Sequence, residues 1–252
     1  MNTSDDIIAC ARLVEEADQD RFRTVMAAPL AARKLLFPIY AFNVEVSRAP
    51  WVTSEPMIAE MRLQWWRDAL EEISDAKPVR KHPITTSLAT ILSPSQARRL
   101  DSLVAARRWD IYRDPFEDQS HMDTYLSKTS GQLMWTASEL LGASADFEGE
   151  VRAVAYGLGC ASFLCAVPAL VASGRTPLLD LTNDGLVTLA RCAKSKIKRV
   201  KLQKQARPAL WPAIKTIKIL DQVIKDPSVV TEGGLRSKIT SFELSWLALF
   251  GC

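Results

Sequence analysis

The sequence predicts an all-α fold: a single-domain bundle of helices over residues 1–252. Three observations carry this expectation. Only ten glycines occur in 252 residues, runs with two-residue strand alternation are scarce, and long stretches are rich in Ala, Leu, Glu, Lys and Arg. Those five residue types lose little conformational freedom in a helix. With 48% hydrophobic residues the chain can bury a large core, and its length lies within the range of one large domain.

Residues 33–47 are apolar nearly all round, from Leu35 to Val46, so a helix here is buried, with Pro38 bending or starting it. Ser54 as N-cap and Pro56 in the first turn announce a second helix. Its apolar positions Met57, Ile58, Met61, Trp65, Ala69, Leu70 and Ile73 follow the 3.6-residue period and are expected to face the core. The other face carries Glu60, Gln64, Arg67, Asp68, Glu71 and Glu72, with Arg67 and Glu71 spaced to pair. Of the adjacent Trp65 and Trp66, one faces the core and one its border.

A polar connection over 75–83 leads to a helix at about 95–110, and Asp114-Pro115 breaks the chain. Residues 124–141 form another helix, closed by Gly142. Between 148 and 171 small and apolar residues dominate, among them Ala153, Ala155, Gly157, Gly159, Ala161 and Ala166. This is a central helix that its neighbours approach closely, bent near its end by Pro168. Residues 235–250 return to an amphipathic helical pattern.

Charge is segregated. Between Leu186 and Leu220 stand ten Lys or Arg and no acid, in a chain whose total is only +3, so the remainder is net acidic. The basic segment reads either as a solvated helical face or as a contact for anionic lipid or an acidic protein. The second reading rests on Leu189, Ala193, Ile197 and Val200, which set an apolar stripe beside the lysines. Nucleic acid is not expected, since Trp211 is the segment's one stacking residue.

Five cysteines without C-x-x-C spacing imply free thiols in a reducing compartment, neither a disulfide framework nor a zinc site. The acidic N-terminus lacks the order of a signal peptide, and no run of membrane-span length is expected. The expected location is cytoplasmic, with peripheral contact at the inner membrane. His82 and His121 are the only histidines, which speaks against a triad or a histidine metal cluster.

Tyr40-Ala41-Phe42, Arg62-Leu63-Gln64-Trp65-Trp66-Arg67, Asp123 to Gly131, Leu158-Gly159-Cys160-Ala161 and Gly174-Arg175 together resemble the squalene/phytoene synthase family over roughly residues 20–179. The resemblance implies an isoprenoid-synthase-type helical bundle whose cavity holds prenyl diphosphates. It also implies magnesium held by aspartate-rich motifs on two facing helices, since this hard cation takes oxygen ligands. At the first motif this chain reads Ser47-Arg48-Ala49-Pro50-Trp51. At the second, Phe163, Ala166, Ala169 and Leu170 stand where Gln, Asn, Arg and Asp are implied. Neither motif then supplies a catalytic residue or a metal ligand, and no cofactor is expected; magnesium would enter only with a displaced site.

Asp110, Asp114 and Asp118, and separately Asp180 and Asp184, have the spacing of such a site. Pro115 interrupts the first set and a Pro/Asn/Gly-rich loop holds the second, so both read as solvated loop carboxylates or caps. The cavity or ligand-binding candidates that the resemblance implies are Tyr40, Asn43, Glu45, Arg48, Trp51, Arg62, Trp66, Tyr125 and Gly131. Asp20-Arg21-Phe22 and Ser54-Glu55-Pro56 further resemble a divergent branch that includes a mitochondrial assembly factor for respiratory complex I. That branch implies a catalytically inactive assembly or binding factor whose protein partner is a complex I subunit or intermediate. The alternatives are a prenyltransferase that condenses prenyl diphosphates and a non-catalytic isoprenoid-binding protein.

Overall fold

Caps and prolines divide the chain into helices. The computed structural model describes residues 3–235, 239–240, 243–245 and 247, and among these it contains no strand. Helices α1 (Thr3–Ala17) and α2 (Gln19–Ala27) occupy the acidic N-terminal stretch, separated at Asp18, whose carboxylate accepts the Arg21 N–H. The buried helix α3 runs Leu30–Arg48 and carries Pro38 in its interior, so this proline does not start it.

Helix α4 (Pro56–Ser74) has Glu55 rather than Ser54 as its N-cap. Its buried arc also differs from the expected one. Ala59, Leu63, Trp66, Ala69, Leu70 and Ile73 face inward, whereas Met57 and Met61 are 75% and 66% exposed and Ile58 is also exposed. Both arcs repeat at helical spacing; the inward one carries the Leu63 and Trp66 side chains that mesh with the core. Arg67 reaches Asp101 at 2.7 Å instead of pairing with Glu71. That contact ties α4 to α6 (Pro94–Arg107), which opens with a Ser93/Gln96 capping box. Between them α5 (Pro83–Ile91), unassigned from the sequence, begins at His82, whose Nδ1 accepts the Ile84 N–H.

Helix α7 (Gln119–Leu126) starts five residues before the expected position because Asp118 caps it, and a π turn at Ser127–Gly131 joins it to α8 (Gln132–Leu140). Gly142 closes this unit in the left-handed region, φ +86°, where L side chains are disfavoured. Helix α9 (Glu148–Ala172) keeps Pro168 within it. A Cβ on Gly159 would come within 2.8 Å of Leu126 Cδ2, so the small residues admit neighbours as expected. One expectation fails here: residues 153–172 carry no charge, and the helical stretch Ala145–Ala172 is long and apolar enough to cross a membrane. Half of its apolar window is buried against other helices.

The basic segment is not one solvated helix. It comprises most of α10 (Asn183–Lys196), a 3₁₀ turn at Arg207–Ala213 and the start of α11 (Thr216–Lys225), followed by α12 (Ser228–Thr231). Several of its lysines are matched internally: Lys194 with Asp221 at 2.5 Å, Lys196 with Asp123 at 3.6 Å and the buried Lys215 with Glu243 at 3.5 Å. Of the helix expected over 235–250, most positions lie outside the described residues; Thr240 and Glu243 form its capping box. Two hydrophobic clusters result, one around α1, α3–α6 and α8, the other around α7 and α9–α12.

Candidate functional site

A cavity of about 540 Å³ lies where the two clusters meet, its wall drawing Tyr40, Leu133 and Met134 from the first and Tyr125 and Leu126 from the second. Helix α3 contributes Tyr40, Asn43 and Ser47, three positions that share one helix face. Helix α9 contributes Leu158, Ser162, Ala166, Ala169 and Leu170. The volume is that of an ordinary small-molecule site, roughly 300–1,000 Å³.

The positions of the two implied metal motifs therefore line the wall, but as Ser47 and Trp51 for the first and, where Asn, Arg and Asp are implied for the second, as Ala166, Ala169 and Leu170. Magnesium takes near-octahedral oxygen ligation through carboxylates. Among the described residues no group of three His, Cys, Asp or Glu is placed to hold a metal ion, so the residues present do not fit this cation.

Of the sequence candidates, Tyr40, Asn43, Trp51 and Tyr125 line the cavity; the other five do not. Arg48 points away, because one helical step from Ser47 turns it outward; it sits 3.4 Å from Glu45 and its side chain is 46% exposed. Arg62 is exposed on α4. Trp66 is core, packed edge-on against Phe42 and Trp65 and beside His82. Gly131 sits in the π turn, where a Cβ would approach the Arg152 guanidinium.

The solvated reading of the first aspartate set is corrected at Asp110, which is only 6% exposed and lines the cavity. The Tyr125 hydroxyl donates to it at 2.7 Å and Arg107 Nη1 reaches it at 3.0 Å, while the same guanidinium nitrogen donates to Tyr125 at 2.7 Å. The 3₁₀ turn at Arg108–Asp110 that continues α6 folds Asp110 back under Arg107. Burial pushes the Tyr125 phenol well above its ordinary value, with Asp110 adding to the rise against Arg107, so the hydroxyl stays a donor. Burial alone would favour a neutral Arg107, but Tyr125 and Asp110 outweigh it and keep the guanidinium charged. Asp114 also borders the cavity, whereas Asp118 caps α7 and Asp180 accepts the Thr182 N–H in an exposed loop.

Composition and periodicity gave no signal for Arg107 and Trp109, both on the wall. Arg21 and Arg175 stand within motifs that carry the resemblance, but nothing in those motifs marks them as cavity-lining. Arg21 lies over the Tyr40 ring at 4.8 Å and pairs with Asp18 at 3.2 Å. Burial, against the opposing pull of Arg21, pushes the Tyr40 phenol up to about 12. Arg175 lies over Trp51 at 4.3 Å and donates to the Asp110 carbonyl.

The described residues form an all-helical bundle around an amphipathic cavity, an architecture that proteins of the isoprenoid-synthase type share. A crystal structure of a dehydrosqualene synthase in complex with ligand superposes on the chain with a TM-score of 0.73 at 12% identity, covering 98% of this chain and 95% of that one. The family profile for squalene/phytoene synthase matches residues 14–178, and the chain belongs to that family. Among its relatives, NADH dehydrogenase (ubiquinone) complex I assembly factor 6 homolog from Drosophila melanogaster is 29% identical over 184 residues, 68% of this chain and 53% of that protein. Assembly factor 6 from Homo sapiens is 24% identical over 135 residues, 53% of this chain and 40% of that protein. The matches thus span about half the length of these relatives or less.

Proposed function

We propose that this chain is a non-catalytic member of its family that acts as an assembly or binding factor for respiratory complex I. In this reading it engages a complex I subunit or intermediate from the cytoplasmic face of the inner membrane. The observation that carries the reading is the cavity wall itself. Ser47 and Trp51 share this wall with Ala166, Ala169 and Leu170, so neither implied motif supplies the magnesium-bound carboxylates that ionising a prenyl diphosphate calls for. The one deeply buried carboxylate nearby, Asp110, already accepts from Tyr125 and Arg107. The names of the relatives supply complex I as the target.

The retained cavity supports a second element, a bound isoprenoid or other lipid that is held but not transformed. The apolar residues Leu126, Leu133, Met134, Leu158 and Phe163 on its wall favour this. Deleting the gene tests the assembly reading. Blue-native gels of the membranes should show less intact complex I, restored by the wild-type chain. Undiminished complex I in the deletion strain would reject it.

A further inference from the structure

Three guanidinium groups line the cavity, and two are answered: Arg21 by Asp18 at 3.2 Å and Arg107 by Asp110 at 3.0 Å. The third, Arg175, has no carboxylate within ion-pair distance among the described residues. Its contacts are the Asp110 main-chain carbonyl and the face of Trp51. Arg175 and Trp51 border both the cavity and the neighbouring surface cleft that leads past Val52, Tyr112 and Arg113, so they stand at its mouth.

Unused donors belong to the same lining. The Nε atoms of Arg21, Arg107 and Arg175 and the Trp109 indole N–H are buried without an acceptor, and all four side chains line this cavity. An unmet buried donor costs about 1–3 kcal/mol, and four around one hollow mark a place where small side-chain shifts would meet an oxygen-bearing ligand. Beyond them the wall is apolar along Leu126, Leu133, Met134, Leu158 and Phe163. The lining carboxylates Asp18, Asp110 and Asp114 equal the three guanidiniums in number and oppose a highly charged head; Arg175, unanswered within ion-pair distance, suits a head of about one to two negative charges, a carboxylate or a phosphate monoester. Guanidinium forks bind carboxylates and phosphates directly, without an intervening metal.

We propose that the cavity takes an amphiphile with a single oxyanion head, a carboxylate or a phosphate monoester on an apolar chain, held by Arg175 against Trp51 without a metal ion. The proposal rests on the lipid-holding element of the function above, and is independent of whether complex I is the partner. Calorimetric titration of the purified full chain tests it, in EDTA and again in magnesium. The ligands are farnesyl monophosphate, farnesoate, farnesol and inorganic phosphate.

Both chain-bearing anions should bind at least ten-fold more tightly than farnesol, equally with and without magnesium, while inorganic phosphate alone gives no heat. Preference for the phosphate or the carboxylate identifies which head the site takes. Arg175→Gln should bring the anions down to the farnesol level while farnesol affinity stays within two-fold. On the wild-type chain, raising the salt should weaken the anions and leave farnesol unchanged, a readout that does not depend on the variant's folding. Magnesium dependence, equal affinity for alcohol and anions, an anion preference that survives Arg175→Gln, or no binding would each overturn it. None of those outcomes would bear on the deletion experiment, so the two readings fail separately.

Discussion

Replacing Arg107 with Met removes the cation that holds the buried Asp110 and leaves that carboxylate with the Tyr125 hydroxyl as its remaining side-chain donor. Breaking a buried pair by removing one partner costs about 3–5 kcal/mol, because a charge is left uncompensated. The Arg107 and Asp110 side chains are 20% and 9% exposed, so residual water access puts the loss near the lower bound, about 3 kcal/mol. At this chain length each kcal/mol moves Tm by about 2–4 °C, which gives a drop of about 6–12 °C by differential scanning calorimetry. Adding Asp110→Asn discharges the stranded carboxylate and should recover about 1–3 kcal/mol of the loss, the coupling expected of residues in one network. Urea denaturation of both variants measures that coupling. A single-variant loss below about 1 kcal/mol, or double-variant effects that simply add, would refute the argument that Asp110 is committed to Arg107.

Further outcomes follow from the packing. On α4, Leu63→Ala should cost about 2–5 kcal/mol as a fully buried core position. Met57→Ser with Met61→Ser should change stability by no more than about 0.5 kcal/mol, and the reverse order would restore the sequence-based assignment of the faces. Burial lowers the pKa of His82 below its ordinary 6.5, against the pull of Glu45 and Asp6. Its neutral, Nδ1-accepting form is therefore the stable one, and this stability is present above pH 6.5 and lost as the pH falls through the folded value. Tm should decline on acidification below pH 6.5, and His82→Asn, which retains a capping side chain, should flatten that part of the profile. Burial pushes the Cys10 and Cys160 thiols up to about 12. Iodoacetamide at pH 8 with mass-spectrometric mapping should thus label exposed Cys192 in the native chain and leave Cys10 and Cys160 intact until urea is added.

What the sequence made legible divides along physical lines. The buried helix around Tyr40 and the small-residue helix around Gly159 announce themselves because they are apolar or small on every side, so a burial pattern needs no choice of face. Helix α4 carries two apolar arcs, and periodicity alone does not choose between Met57/Met61 and Leu63/Trp66; the partner helix does. Helices α2 and α5 are only nine residues long, and their starts rest on single caps, Asp18 and His82. The motif comparison pointed to Tyr40, Asn43, Trp51 and Tyr125 on the cavity wall. It gave no rotation about the helix axis, and so it included Arg48, which faces solvent. Asp110 was misread because Pro115 suggests an open loop. Its burial depends on Arg107 three residues earlier and Tyr125 fifteen residues later, a closure visible only in three dimensions.

On the proposed reading the fold persists while the magnesium-dependent prenyl chemistry does not. Pyrophosphate release is the direct measurement: purified chain incubated with farnesyl or geranylgeranyl diphosphate and magnesium, read by a coupled phosphate assay. Release should be indistinguishable from buffer. Sustained turnover at an enzymatic rate, on the order of 1 s⁻¹, abolished by EDTA, would contradict it.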